Sequence, residues 1–186
     1  MADRIIKVVV ASPSDVVKER EVLLNYLPTK FARDKYEELC NARIIVEGWE
    51  DVPSQSGYTQ DIINSTIIKG ADIVLAVFRH KLGSPTINIR TGNHRAPSGT
   101  AEELLYAIHQ NKKNKKPLAM LYYYEKPPIW SLISCRYRRE WNRLEKFKKE
   151  IRNEIRHQFY TDDTEALLRT ICLELCKNIR EHKLLQ

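Results

Sequence analysis

Apolar residues fall along this chain in two kinds of block that take turns: short unbroken runs, and longer stretches with helical spacing. Arg4 to Ala11 (RIIKVVVA) is a β-branched run, which suits a strand covered on both faces. Ser12-Pro13-Ser14-Asp15 then has the layout of a helix start, with Ser12 at the N-cap, Pro13 at the first helical position and Asp15 where a capping box wants an acid. The helix that follows carries Val16, Leu23, Leu24 and Leu27 on one side; Pro28 at least bends it before a continuation toward Cys40. Ala42 to Gly48 (ARIIVEG) predicts a second strand, which leaves through Trp49-Glu50-Asp51 into a polar loop ending near Tyr58. Gln60 to Lys69 predicts a short helix with Ile62, Ile63, Ile67 and Ile68 inward, and Ala71 to Phe78 (ADIVLAVF) is the clearest buried strand.

Arg79 to Ser98 is a long loop rich in Gly, Pro and Asn. Thr100 to Asn111 returns to helical spacing through Ala101, Leu104, Leu105 and Ile108, and Pro117 to Tyr124 (PLAMLYYY) predicts a fourth strand. From Ser134 the pattern is helical and charged, with Tyr137, Trp141, Leu144, Phe147 and Ile151 as its apolar stripe. His157 to Thr161 has the makings of a short fifth strand, and Asp163 to His182 of a last amphipathic helix facing inward through Leu167, Leu168, Ile171, Leu175 and Ile179. Strand and helix alternate four times, which predicts an α/β fold with a doubly wound, flavodoxin-like parallel sheet of four to five strands and extra C-terminal helices. Residues 1–125 would form the sheet core and 126–186 a charged helical part of the same domain. In such sheets ligands sit beyond the carboxyl ends of the strands, so the loops to inspect are Ser12 to Asp15, Trp49 to Tyr58, Arg79 to Ser98 and the helix start at Gly99.

With 186 residues, 42% of them hydrophobic and 30% charged, the chain suits one domain with a real core. The absence of a long apolar run or a signal-peptide layout points to a cytoplasmic protein with no membrane partner. Cys40, Cys135, Cys172 and Cys176 lack zinc-ligand spacing, and Cys172 and Cys176, four apart on a helix, read as buried reduced thiols; no metal is expected. Charge is uneven: residues 112–186 hold 18 Lys and Arg against 10 Asp and Glu, and the first 111 residues hold 13 against 14. Solvated helices account for that better than nucleic-acid binding does.

A Walker phosphate loop, a glycine-rich dinucleotide fingerprint, a nucleophile elbow and paired metal-spaced histidines are all missing. What remains is Ser98-Gly99-Thr100-Ala101-Glu102-Glu103 entering a helix after the third strand. A carboxylate there is favoured in its ionised form by the helix macrodipole. It can hydrogen-bond ribose hydroxyls and stabilise the positive charge that develops as a glycosidic bond breaks. Thr100-x-x-Glu103 is equally a capping box, a far commoner use of such spacing. Ser12, Ser14 and Asp15 can meet ribose or adenine, or cap a helix. Trp49 can stack on a flat ring or pack in the core. Arg79 and Lys81 can hold a pyrophosphate or be ordinary loop charges, and His80 and His94, in the same loop, show no partner that would make either a base.

Val8-Val9-Val10-Ala11-Ser12-Pro13-Ser14-Asp15 with Lys18-Glu19-Arg20-Glu21 resembles the opening of the TIR-like domains of unknown function that precede NACHT/STAND NTPase modules. Trp49-Glu50-Asp51-Val52-Pro53, Asp72 to Phe78, Leu82-Gly83-Ser84-Pro85-Thr86 and Ser98 to Glu103 continue the resemblance in the same order, over roughly residues 4 to 125. The Gly-Thr-x-x-Glu element is also similar to that of nucleoside 2-deoxyribosyltransferases, whose glutamate attacks a sugar carbon. The resemblance implies a TIR-like effector that hydrolyses NAD at the nicotinamide–ribose bond, in an immune or antiphage defence protein. Glu103, not Glu102, would be catalytic, Ser12, Ser14, Asp15, Trp49, Arg79, Lys81, Ser98 and Thr100 would bind substrate, and NAD would be a substrate with no separate cofactor. It further implies self-association on activation and fusion to a NACHT/STAND sensor. The family commonly has an aromatic residue where this chain has Arg79, which puts a stacking role there in doubt. A deoxyribosyltransferase with Glu103 as covalent nucleophile, a non-enzymatic self-associating adaptor, and nucleic-acid binding through the basic helices remain as alternatives.

Overall fold

The computed structural model describes residues 4–48, 68, 70–88, 91–129 and 134–181. The strands β1 (Ile5–Ala11), β2 (Arg43–Glu47), β3 (Ile73–Phe78), β6 (Leu118–Tyr124) and β7 (His157–Tyr160) form one sheet in the order β2-β1-β3-β6-β7. Every pairing in it is parallel, as the flavodoxin-like expectation requires. The order reverses between β1 and β3, so loops leaving those two strands part to opposite faces and open a crevice at their carboxyl ends.

The run of β-branched and aromatic residues in each strand is explained by helices on both faces. Ile6, Val8, Val10, Ile73, Leu75, Val77, Tyr122 and Tyr124 point to one face. There they meet α1 (Val17–Arg33), α2 (Tyr36–Cys40) and α5 (Thr164–Glu181). Val9, Ala11, Val74, Ala76, Phe78, Leu121 and Tyr123 point to the other, against α3 (Gly99–Asn114) and α4 (Cys135–Ile151). The charged C-terminal stretch therefore docks through its apolar stripe: Leu144, Phe147 and Ile151 are buried, with Trp141 against the same cluster, and Leu167, Leu168, Ile171, Leu175 and Ile179 are buried on the first face. Burial of that stripe, not helix propensity, is what holds such helices. Cys40, Cys172 and Cys176 are buried free thiols, and burial pushes the Cys172 thiol up to about 12.

Two local expectations are corrected, the start of the first helix and the long loop after β3. Helix α1 begins at Val17 with Val16 at its N-cap and no side-chain cap, because Ser12 and Asp15 are engaged elsewhere. It then continues through Pro28 to Arg33, and the chain turns at Lys35, whose φ of 61° is left-handed, before α2. The long loop after β3 also contains a small antiparallel ladder, β4 (Thr86–Ile87) with β5 (His94–Ala96), too short to leave an alternating pattern in the sequence. The helix expected over 60–69 lies outside the described residues except for Ile68, which is buried in the second cluster. Trp49 and the loop to Tyr58 lie outside them too. Among the described residues no helix is long and apolar enough to cross a membrane.

Candidate functional site

Three segments from the carboxyl end of the sheet meet at Gly83. Its φ is +99°, and a Cβ placed there would lie 3.3 Å from the Ser98 Cβ and 3.6 Å from the Pro13 Cβ. Only glycine suits both the backbone and the space, so the exits of β1 and β3 and the entry of α3 pack together through this residue. Asp15 ties the first two: its Oδ2 accepts the backbone N–H groups of His80 at 2.9 Å and Lys81 at 3.0 Å. Its Oδ1 is buried without a hydrogen-bond partner among the described residues. Burial pushes the Asp15 carboxyl above its ordinary value, and the His80 and Lys81 N–H groups oppose this. Ser12 accepts a hydrogen bond from Arg20 Nη1 at 3.0 Å, and the same guanidinium donates to the Val10 carbonyl.

Helix α4 holds the assembly from the other side. Glu140 Oε2 accepts the Gly83 N–H at 3.2 Å, and Arg143 donates to the carbonyls of Gly83 at 2.9 Å and Pro97. Arg143 also pairs with Glu140 Oε1 at 2.5 Å.

The entry of α3 differs from the expected capping box. Ser98, buried, is the N-cap, and its Oγ accepts the Ala101 N–H at 3.1 Å. Thr100 is therefore the second helical residue, buried, and Glu103 the fifth, beyond the position from which a capping acid reaches back. Glu103 is 9% exposed. Its neighbour Glu102 turns to Arg95 and pairs with it at 2.6 Å, as expected of consecutive helical residues that diverge by about 100°.

Arg79 and Lys81 part company. The Arg79 guanidinium reaches Glu19 and Asp162, each at 2.6 Å, and lies 3.9 Å over the Tyr124 ring. Burial works against its charge, but the Asp162 and Glu19 carboxylates overcome that and raise its pKa. His80 has partners the sequence did not reveal: its Nε2 lies 3.0 Å from the Lys126 carbonyl and its Nδ1 3.1 Å from the Tyr137 hydroxyl. A carbonyl can only accept, so Nε2 carries the proton, while the Tyr137 hydroxyl can donate to a neutral Nδ1 or accept from a protonated one. Burial depresses its pKa, opposed by the Lys126 carbonyl, and the edges of Tyr124, Tyr137 and Trp141 surround it. His94, on β5, lines a separate recess with Arg95 and Phe147.

Between the loop after β3 and the start of α4 lies a cleft of about 450 Å³, lined by Ser14, Lys81, Gly83, Ser84, Ser134, Arg136, Tyr137 and Glu140. Lys81 Nζ sits 5.1 Å from the centre of the Tyr137 ring. The structure thus brings Ser14 and Lys81 to one cleft, sets Asp15 behind it and Ser98 against its Gly83 wall, buries Thr100 in the first turn of α3, and engages Ser12 in a hydrogen bond and Arg79 in ion pairs. Glu103 does not line this cleft. Arg136, which no motif marks in its run of arginines, does. Among the described residues no group of three or more His, Cys, Asp or Glu could hold a metal ion.

No curated protein and no solved structure matches the chain. Residues 7–170 match the family model described as a domain of unknown function, DUF4062. That span runs from within β1 into α5 and takes in the other four strands of the sheet whole. The chain belongs to the DUF4062 family.

Proposed function

We propose that this domain is a TIR-like effector that hydrolyses NAD at the nicotinamide–ribose bond, with Glu103 as the catalytic carboxylate. One observation carries the reading. Glu103 is a buried acid, 9% exposed, at the start of the helix that follows the central strand, and Ser98 performs the capping that its spacing suggested for it. Burying a carboxylate costs free energy that a solvated acid avoids, so its place asks for a purpose other than capping.

In the reaction the C1′–N bond breaks and its electron pair leaves with nicotinamide, which becomes neutral. Water attacks C1′ and releases a proton to solvent, giving ADP-ribose. Glu103 would hydrogen-bond the ribose hydroxyls and stabilise the oxocarbenium-like charge that develops. The motif resemblance supports a setting as well: a cytoplasmic defence protein in which this domain precedes a NACHT/STAND sensor and self-associates when triggered.

The test is incubation with NAD, with the domain forced to oligomerise and products separated by chromatography. Glu103→Gln should lower turnover by about 10²–10³-fold, the scale of one lost electrostatic contact in a dry site, and Glu102→Gln far less. Melting temperatures of both variants separate loss of chemistry from loss of fold. Equal turnover in the two would end the proposal. Base exchange on deoxynucleosides, with a glycosyl group trapped on Glu103, would replace hydrolysis by transfer.

A further inference from the structure

We infer that the cleft between the loop after β3 and the start of α4 is an anion site that takes the diphosphate of a nucleotide ligand. The cleft offers about 450 Å³, within the range of small-molecule sites and more than one phosphate group fills. Two cations reach it from different walls, Lys81 from the loop and Arg136 from α4, and neither has a carboxylate partner among the described residues. Among the described residues the Lys81 ammonium lies over the face of Tyr137, and the Asp15 carboxylate, held by the Lys81 backbone N–H, acts on it without forming an ion pair. The one acid in the lining, Glu140, has both oxygens occupied, by Arg143 and by the Gly83 N–H. The lining is therefore net positive and has charge to give.

The remaining walls add donors. Ser14 and Ser84 are exposed at the cleft, and their hydroxyls have no protein partner among the described residues. Ser134 uses its Oγ to accept the Tyr137 N–H, which leaves its own O–H to donate. Helix α4 has seventeen residues and no acid in its first turn, so the positive end of its dipole is uncompensated where it meets the cleft. Two charges on separate walls, joined by hydroxyl donors, match two linked phosphates better than one carboxylate.

Position links this cleft to the chemistry proposed above. Gly83 is part of its wall and packs on Ser98, the cap of the helix that carries Glu103. Only the nature of the group borne by the diphosphate rests on the N-glycoside reading; the anion site itself does not.

The experiment is calorimetric titration of the domain with inorganic pyrophosphate, ADP-ribose and nicotinamide riboside, which lacks a diphosphate. The titrations are repeated on Lys81→Ala, Arg136→Ala and Glu103→Gln, with melting temperatures to verify folding. Pyrophosphate and ADP-ribose should bind, each cation variant should weaken both by about tenfold or more, and nicotinamide riboside should bind far more weakly than ADP-ribose. Binding of ADP-ribose that neither cation variant changes would overturn the site and leave the reading of Glu103 intact. So would a riboside that binds as tightly as ADP-ribose. No binding of either phosphate ligand to the wild-type domain also overturns it. Pyrophosphate binding that depends on Lys81 and Arg136, in a domain that never cleaves NAD, would keep the site and remove the N-glycosidase reading.

Discussion

The carboxyl end of the sheet holds two cationic regions that begin two residues apart and differ in kind. Around Arg79 a planar guanidinium is closed in by Glu19, Asp162 and the Tyr124 ring, and Tyr124 and Tyr160 add hydroxyls to the same two carboxylates. Around Lys81 an ammonium and the Arg136 guanidinium face a cleft, and among the described residues neither forms an ion pair with a carboxylate. The first region is internally neutralised and belongs to the framework. The second keeps its charge for something else. Arginine's fixed fork suits the first role, which demands several bonds at once, and lysine's compact charge on a long stem suits the second.

Stability measurements break or sharpen that contrast. Arg79→Ala leaves Glu19, 3% exposed, without its counter-charge and should cost about 3 kcal/mol in urea unfolding, the scale of one member lost from a buried pair. Lys81→Ala should cost less than about 0.5 kcal/mol, as for a surface residue away from packing. Equal losses would erase the distinction between framework and site. Next in size is Asp15, which holds the backbone between the two regions through the His80 and Lys81 N–H groups. Asp15→Ala should cost about 2 kcal/mol by leaving these donors unpaired, whereas Asp15→Asn retains an acceptor and should cost about half as much. Asp15→Ala should also weaken pyrophosphate binding without having touched the ligand.

The smallest effect concerns pH and comes from His80, which sits between Arg79 and Lys81. Its folded pKa lies below the ordinary 6.5 because of burial, so the unfolded chain takes up a proton first. The stability this ring contributes is present above 6.5 and is lost as pH falls through its folded pKa. Asp15 works the other way: its raised pKa means the folded state binds a proton before the unfolded one, which adds stability as pH falls toward 3.8. The melting temperature should therefore decline as pH drops below about 6.5. The decline should be shallower in His80→Gln, with His157, also depressed by burial, supplying a remainder.

The sheet was readable in the sequence because its strands are covered on both faces and so appear as unbroken runs such as Ile73 to Phe78. The docking of α4 and α5 was readable because an apolar stripe survives even in highly charged helices. The site was readable only as a set of loops. Ser12 and Asp15 look like caps because capping is a local pattern, whereas the groups they bind come from the folded topology, 65 and 66 residues away for Asp15. Ser98 and Thr100 are both acceptable N-caps by spacing, and the packing of Gly83 against Ser98 marks where the helix starts. Arg136 lies among Arg138 and Arg139, and no one-dimensional pattern says which of the three turns to a cleft.

Arg143 bridges the carbonyls of Gly83 and Pro97, the two feet of the excursion that contains β4 and β5. With its feet joined by one side chain from another helix, that excursion behaves as a cartridge set into a fixed frame. Its tip lies at Gly92, where an added Cβ would meet nothing within 4 Å although the φ of +71° favours glycine. Changes of length or composition there stay within the cartridge, while Lys81, Gly83 and Ser98 keep their places. A family built on this frame can vary what reaches over the carboxyl end of the sheet from one member to the next without rebuilding the sheet beneath it.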